Sequence, residues 1–254
     1  MPFEVFGNTD IGKKRTINED NFVIFELSEK PEPMFLLAVA DGLGGHAGGE
    51  IASKIAIDSL RKNLVASIQK AHNPSTHFNT VMENAFKNIN KEIFQKAAKE
   101  KLLTGMGTTL VASLIKPYSA TILNVGDSRA YLLRGNSINQ ITLDHSWKAE
   151  NLRNNQLDKD EIFKSPLKNL LTRSLGFENK VKADTFQLEL FEEDILLLCT
   201  DGLYSLLTEK DILKILKKYE SQEKICQKLI DLANKRGGHD NITVIIAKFL
   251  KKAH

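Results

Sequence analysis

Four aspartates occupy the same kind of place in this 254-residue chain, where an apolar, strand-like run meets a turn. Phe35 to Ala40 ends in Asp41-Gly42, Ala120 to Gly126 in Asp127, and Ile195 to Thr200 in Asp201-Gly202, while Asp240-Asn241 opens Ile242 to Ile246. A lone Asp-Gly marks only a turn, because both residues tolerate turn geometry. Four strand-end acids say more. Strand ends converge on one rim of a sheet, so the carboxylates can share a site. Buried like charges do not stay ionised together without counter-charge. A hard divalent cation supplies it. Clustered Asp and Glu without matching Cys or His ligands favours Mg²⁺, Mn²⁺ or Ca²⁺ over Zn²⁺. The segment Arg15-Thr16-Ile17-Asn18-Glu19-Asp20 adds a cation and two acids just before a strand. Alone it reads as a solvated charged loop. Beside the strand-end acids it reads as an anion clamp next to metal ligands, since the planar Arg fork matches phosphate oxygens.

The elements that must hold these residues are short. Apolar, β-branched or aromatic runs predict strands at Phe22 to Phe25, Phe35 to Ala40, Thr108 to Ile115, Ala120 to Val125 and Ala130 to Leu133. Further strands follow at Thr185 to Leu190, Ile195 to Cys199 and Ile242 to Phe249. Helical spacing of apolar residues predicts helices over Gly49 to Leu64, Phe78 to Ala98 and Gln222 to Asn234, the last capped by Ser221. Two long helices in succession argue against a simple βαβ repeat and for mixed α and β layers, with sheets covered by helices. Residues Ser146 to Ser174 form a polar insert rich in Asn, Lys, Asp and Glu, expected to be an irregular subdomain.

Composition bounds the function class. With 42% hydrophobic and 26% charged residues the chain is an ordinary globular protein, not a disordered or collagenous one. A net charge of +3, from 35 Lys and Arg against 32 Asp and Glu, makes no case for nucleic acid as partner. The N-terminus lacks a signal-peptide core, and no apolar run approaches the ~20 residues of a membrane helix. The two cysteines, Cys199 and Cys226, read as buried thiols and suit a reducing cytoplasm. Lys13-Lys14-Arg15 reads as steering for phosphorylated substrates, and Lys251-Lys252 as a solvated end. The glycines from Gly42 to Gly49 lack the Lys-Ser/Thr ending of a nucleotide P-loop. Thr108 and Thr109 read as strand packing.

Eight short motifs in order then carry a resemblance. They are RTINED (Arg15 to Asp20), DGLGGHAGGE (Asp41 to Glu50), Gly107-Thr108-Thr109, GDSRAY (Gly126 to Tyr131), Asp144-His145-Ser146, LTRSLG (Leu171 to Gly176), Thr200-Asp201-Gly202-Leu203 and GHDNIT (Gly238 to Thr243). Together the chain resembles the metal-dependent Ser/Thr protein phosphatases of the PP2C (PPM) type, in their short bacterial form, from about residue 7 to 249. The resemblance implies an α+β fold, a four-layer α-β-β-α sandwich with two central antiparallel sheets. It implies one catalytic domain over 1–254, with the insert of about 146–174 as a flap beside the site.

Carried over by position, the resemblance implies that Asp41 bridges two Mn²⁺ or Mg²⁺ ions. Asp201 and Asp240 complete the first, and Glu19 and the Gly42 carbonyl serve the second. Asp127, with Asp201, holds a third, weaker ion. Asp20 orients metal-bound water, Arg15 binds the substrate phosphate, and Asn241 supports Asp240. Leu43 follows Gly42 where many eukaryotic members have His, so the proton donor is open. His46 is the first candidate, ahead of His145 and His239. The reaction expected is hydrolysis of phosphoSer or phosphoThr esters. A hydroxide shared by metal ions about 3.5–4 Å apart attacks in line, with no phosphoenzyme and no Cys nucleophile. Implied partners are phosphorylated proteins and an opposing Ser/Thr kinase. The chain is expected to be cytoplasmic and monomeric, with no nucleic-acid or membrane partner. Two alternatives stand beside this reading: a catalytically silent regulatory or binding module, and a hydrolase of small phosphate esters.

Overall fold

In a computed structural model, the residues described are 3–28, 33–44, 48–70, 78–155 and 157–250. One sheet contains β1 (Phe3–Asp10), β8 (Arg129–Arg134), β9 (Ser137–Gln140), β11 (Ile195–Cys199) and β12 (Ile242–Phe249), in the spatial order β1-β12-β11-β8-β9. The other contains β2 (Asn21–Ser28), β3 (Met34–Ala40), β6 (Leu110–Lys116), β7 (Ser119–Val125) and β10 (Asp184–Glu189), ordered β10-β7-β6-β3-β2. All neighbours are antiparallel. A two-stranded ladder pairs β4 (Gly42–Leu43) with β5 (Gly107–Thr108).

The central strands read as unbroken apolar runs because both faces are covered. Along β3, Phe35, Leu37 and Val39 turn towards the other sheet. Leu36, Ala38 and Ala40 turn the opposite way, into a core with α1 (Gly48–Lys70) and α2 (Phe78–Lys99). In the facing sheet, Leu196, Leu198, Ile245 and Ala247 meet the first set between the sheets. Leu197, Cys199, Val244 and Ile246 pack instead under α5 (Asp201–Tyr204), α6 (Glu209–Lys218) and α7 (Gln222–Lys235). The period-2 alternation thus splits each strand between an inter-sheet core and a helix-facing core. The result is the four-layer α-β-β-α sandwich that the resemblance implies.

The acids lie at strand ends, and two of their loops carry the chain from one sheet to the other. Asp41 leaves β3, and the β7–β8 turn carrying Asp127 crosses from one sheet to the other. Asp201 leaves β11, Asp240 precedes β12, and Glu19 and Asp20 end the β1–β2 connection. The insert differs from expectation. It carries two short helices, α3 (Trp147–Asn154), capped by Ser146, and α4 (Lys159–Lys164), capped by Asp158. Its ends are tied together: Trp147 N–H donates to Leu170 O at 2.8 Å, and Thr172 N–H to His145 O at 2.9 Å.

Candidate active site

Asp41 is fixed through its backbone. Its N–H donates to Thr109 Oγ1 at 2.9 Å, and its carbonyl accepts from Thr109 N–H at 2.9 Å and from Thr108 Oγ1 at 2.8 Å. Thr109 Oγ1 also lies 2.7 Å from Ser128 Oγ, which joins the end of β3 to the turn bearing Asp127. Reading Thr108 and Thr109 as packing alone is therefore corrected. They are fully buried, and their hydroxyls hold the Asp41 peptide. Behind Asp41, Gly42 and Gly49 let the start of α1 close on Glu19. A Cβ on Gly42 would meet the Gly49 carbonyl, and one on Gly49 would meet Glu19 Oε1.

Asp20 is buried between the sheets' loops. Its Oδ2 accepts from Thr200 Oγ1 at 2.8 Å and Thr243 Oγ1 at 2.6 Å. Burial pushes its carboxyl up to about 7 against the pull of those hydroxyls, and the charges of Asp240 and Glu19 add to the rise. Asp201 is also pushed to about 7, by burial and then by Asp127, Asp240 and Asp20. Asp41 itself is driven well above the carboxylate range by burial and by Asp20, Asp201, Asp127 and Asp240.

Asp127 sits towards the insert. Burial and Asp144 raise its carboxyl to about 6, while the Tyr204 hydroxyl, by hydrogen bond, pulls it back. Below it, Arg129 forms a two-pronged bond with Asp144, at 2.9 and 2.7 Å, and donates to Tyr131 Oη at 2.8 Å. The same guanidinium lies 3.5 Å from the Tyr204 ring centroid. This platform fixes the ring whose hydroxyl meets Asp127.

Arg15 is placed against Asp240 in a 2.7 Å ion pair, and its side chain stays 48% exposed. The guanidinium is thus beside the acids and open to a ligand. Asn241 acts differently from expectation. Its backbone N–H donates to Asp240 Oδ1, but its side chain clasps the β1–β2 loop, accepting from Glu19 N–H and donating to Ile11 O and Ile17 O.

His145 is locked among structural partners. Its Nδ1 accepts from Gly126 N–H at 3.1 Å, and its Nε2 meets Asp184 Oδ2 at 3.1 Å. Because Nδ1 accepts, the ring is the neutral form that carries its proton on Nε2, and burial lowers its pKa. His239 is exposed beside Gly237. His46 lies outside the described residues. Both cysteines are buried and unpaired, and burial pushes their thiols up, Cys226 to about 12, which excludes a thiolate nucleophile.

The donor set suits hard divalent cations. Glu19 Oε1 and Asp201 Oδ1 are buried with no hydrogen-bond partner, a costly state for carboxylate oxygens. Five carboxyls, those of Glu19, Asp20, Asp41, Asp127 and Asp201, are raised by burial and by neighbouring acids, as expected where counter-charge is due. Among the described residues, no three His, Cys, Asp or Glu side chains close into a finished cage. Asp240 is turned to Arg15 and Asp20 to its two hydroxyls, so the acids are gathered as neighbours rather than converged on a point.

A two-sheet sandwich that collects carboxylates at its seam, with a guanidinium alongside, defines a class of metal-dependent phosphate-ester hydrolases. The chain belongs to the protein phosphatase 2C family, whose model matches residues 6–242. It is 40% identical over 243 residues to the serine/threonine phosphatase stp of Listeria innocua, covering 94% of this chain and 93% of that protein. The structure of Stp1 from Staphylococcus aureus superposes with a TM-score of 0.88 at 34% identity, covering 98% of this chain and 96% of that one. The catalytic domain of the phosphatase PstP, solved with two manganese ions, gives a TM-score of 0.83 at 30% identity, with 98% and 99% covered. The chain is a serine/threonine protein phosphatase of the PP2C type, a metal-dependent family acting on phosphoproteins. Among the described residues, no helix is long and apolar enough to cross a membrane.

Proposed function

We propose that the seam carboxylates hold two Mn²⁺ or Mg²⁺ ions, with a third bound more weakly, and that water attacks the phosphoSer or phosphoThr ester directly. Asp41 would serve both ions, Asp201 and Asp240 the first, Glu19 and the Gly42 carbonyl the second, and Asp127 with Asp201 the third. The buried, unpartnered oxygens of Glu19 and Asp201 carry this reading. When bound, the cations supply the positive charge that acidifies water and neutralises phosphate oxygens.

The protein's own groups do the rest. Arg15, held beside the acids by Asp240, offers its free N–H groups to the equatorial phosphate oxygens. Asp20, with a carboxyl near 7 and two hydroxyls fixing it, is suited to orient the attacking water and accept its proton. His46 is the proton donor we propose for the departing Ser or Thr oxygen. His145 is not, because both of its nitrogens are engaged. Residues 1–254 form one catalytic domain, with 146–174 as its flap. A Ser/Thr kinase is the natural opponent, because it forms the ester this site would cleave. A cytoplasmic location suits the two unpaired cysteines.

The test is phosphate release from a phosphothreonine peptide with Mn²⁺, with Mg²⁺ and with EDTA, alongside Asp41→Ala. Release that requires metal and is lost in the variant is the expected result. Full turnover in EDTA, or by Asp41→Ala, would overturn the proposed ligand set.

A further inference from the structure

Three cavities run end to end from the acid cluster across the surface. The first, about 440 Å³, is lined by Asp127 and Asp201 on one side and by Asn169 of the insert on the other. Asn169 also lines the second, about 740 Å³, which extends to Leu43 and Val181. Val181 and Lys182 then lead into a third, about 280 Å³, against Phe86 of α2. The middle cavity falls within the ~300–1,000 Å³ typical of ligand sites. Leu43 directly follows the Gly42 carbonyl, so the middle cavity borders the acids from this side too.

The hydrolytic chemistry uses none of the side chains in this middle stretch. Its wall is apolar: Leu170 and Phe177 are 55% and 57% exposed, large values for such side chains in a fixed segment. The segment is fixed because Thr108 and Leu175 exchange backbone hydrogen bonds at 3.0 and 2.8 Å, and the Phe177 ring edge covers Gly107. Its rim is basic. Lys180 and Lys182 are exposed and form no ion pair among the described residues, and Arg173 is committed to Asp184 at 2.8 Å. Glu178 is the one acid in the lining. A rigid apolar wall with surplus positive charge complements a chain that is apolar and acidic in turn.

The geometry points to a docking groove for the substrate chain itself. An extended segment flanking the phosphorylated residue sets a bulky apolar side chain against Leu170 and Phe177 and an acidic residue against Lys180 and Lys182. This rests on the phosphatase reading, which places the phosphoryl group at the acids.

The test compares three substrates in the Mn²⁺-loaded enzyme. One is a phosphothreonine peptide with Leu and Glu placed in its flanks, the second has Ala and Lys there, and the third is p-nitrophenyl phosphate. We expect the first peptide to exceed the second about tenfold in kcat/KM, a ratio of the size that apolar contact and charge complementarity provide. Leu170→Ser and the double variant Lys180→Glu/Lys182→Glu should each remove most of that advantage, with p-nitrophenyl phosphate turnover unchanged. Equal rates on both peptides overturn the groove and leave the phosphatase standing. Variants that slow p-nitrophenyl phosphate equally overturn the groove, because the effect would then lie in the fold. Variants that change only the self-association seen by light scattering assign the face to a second copy and also overturn it. No turnover of any substrate by the wild-type enzyme overturns the phosphatase reading, and the groove with it.

Discussion

Replacing Thr109 by Val isolates what one hydroxyl does for the site. The two side chains have nearly the same volume, so no cavity opens. The Asp41 N–H loses its acceptor, and the buried Ser128 hydroxyl loses its 2.7 Å neighbour. Each buried polar group left unpaired costs about 1–3 kcal/mol, so the pair should cost roughly 2–6 kcal/mol. In a protein of this size each kcal/mol lowers Tm by about 2–4 °C, which predicts a fall of roughly 4–24 °C. Activity should fall further than stability alone requires, because the lost bond holds the peptide from which the central carboxylate projects. A loss of about tenfold or more in kcat/KM at a temperature where the variant is fully folded is the expected size for one misplaced group. Thr109→Ser keeps both bonds and loses only a methyl group, worth about 1 kcal/mol, so its activity should stay near wild type. Calorimetry in EDTA and phosphopeptide turnover in Mn²⁺ read the two effects separately. A Val variant with wild-type Tm and wild-type rate would refute the assignment.

Three other perturbations follow from the geometry. Asp20 and Asp201 are pushed from 3.8 to about 7 in the fold, so over about pH 5–7 the folded chain still holds protons that the unfolded chain has released. Stability in EDTA should therefore fall as pH rises through that window. Asp201→Asn should flatten the fall, and a Tm that rises with pH in the wild type would contradict the raised pKa values. Asn241→Asp retains the acceptor for Glu19 N–H but loses both donations to the β1–β2 loop. Calorimetric titration should show weaker Mn²⁺ binding, and unchanged affinity would mean the clasp does not set the position of Glu19. His145→Phe keeps a ring but leaves Gly126 N–H without its acceptor, so Tm should drop by roughly 3–10 °C, and an unchanged Tm would mean that bond is dispensable.

Much of this was legible because strands buried on both faces write themselves as apolar runs, and the acids punctuate them. The strands from Phe35, Ala120, Ile195 and Ile242 lie within a residue of where β3, β7, β11 and β12 form. β1 escaped because it mixes Asn8, Thr9 and Asp10 with Gly7, whose missing side chain admits Phe22 and Ile245. α6 carries a readable signal, Thr208 and Asp211 capping each other ahead of Ile212, Ile215 and Leu216. α3 buries none of its residues, so it had no apolar stripe to show. At the site, the carboxylates announced themselves by type and place, whereas Thr108, Thr109, Thr200 and Thr243 did not. A strand threonine looks the same whether its hydroxyl is idle or holds a catalytic group. The turn of Asn241 towards the loop, and the Tyr204–Arg129 stack under Asp127, arise from contacts across more than seventy residues of chain.

The placement of the acids at the seam has a thermodynamic consequence. Asp41 hangs from one sheet and Asp201 from the other, so a cation held by both would be bonded to both halves of the sandwich at once. Ion binding and the cohesion of the inter-sheet core are then one equilibrium seen from two ends. Whatever tightens the packing of Val39 and Leu37 against Leu198 and Ile245 should raise ion affinity. Ion occupancy, in turn, should slow amide exchange deep between the sheets, in strands that never touch the metal.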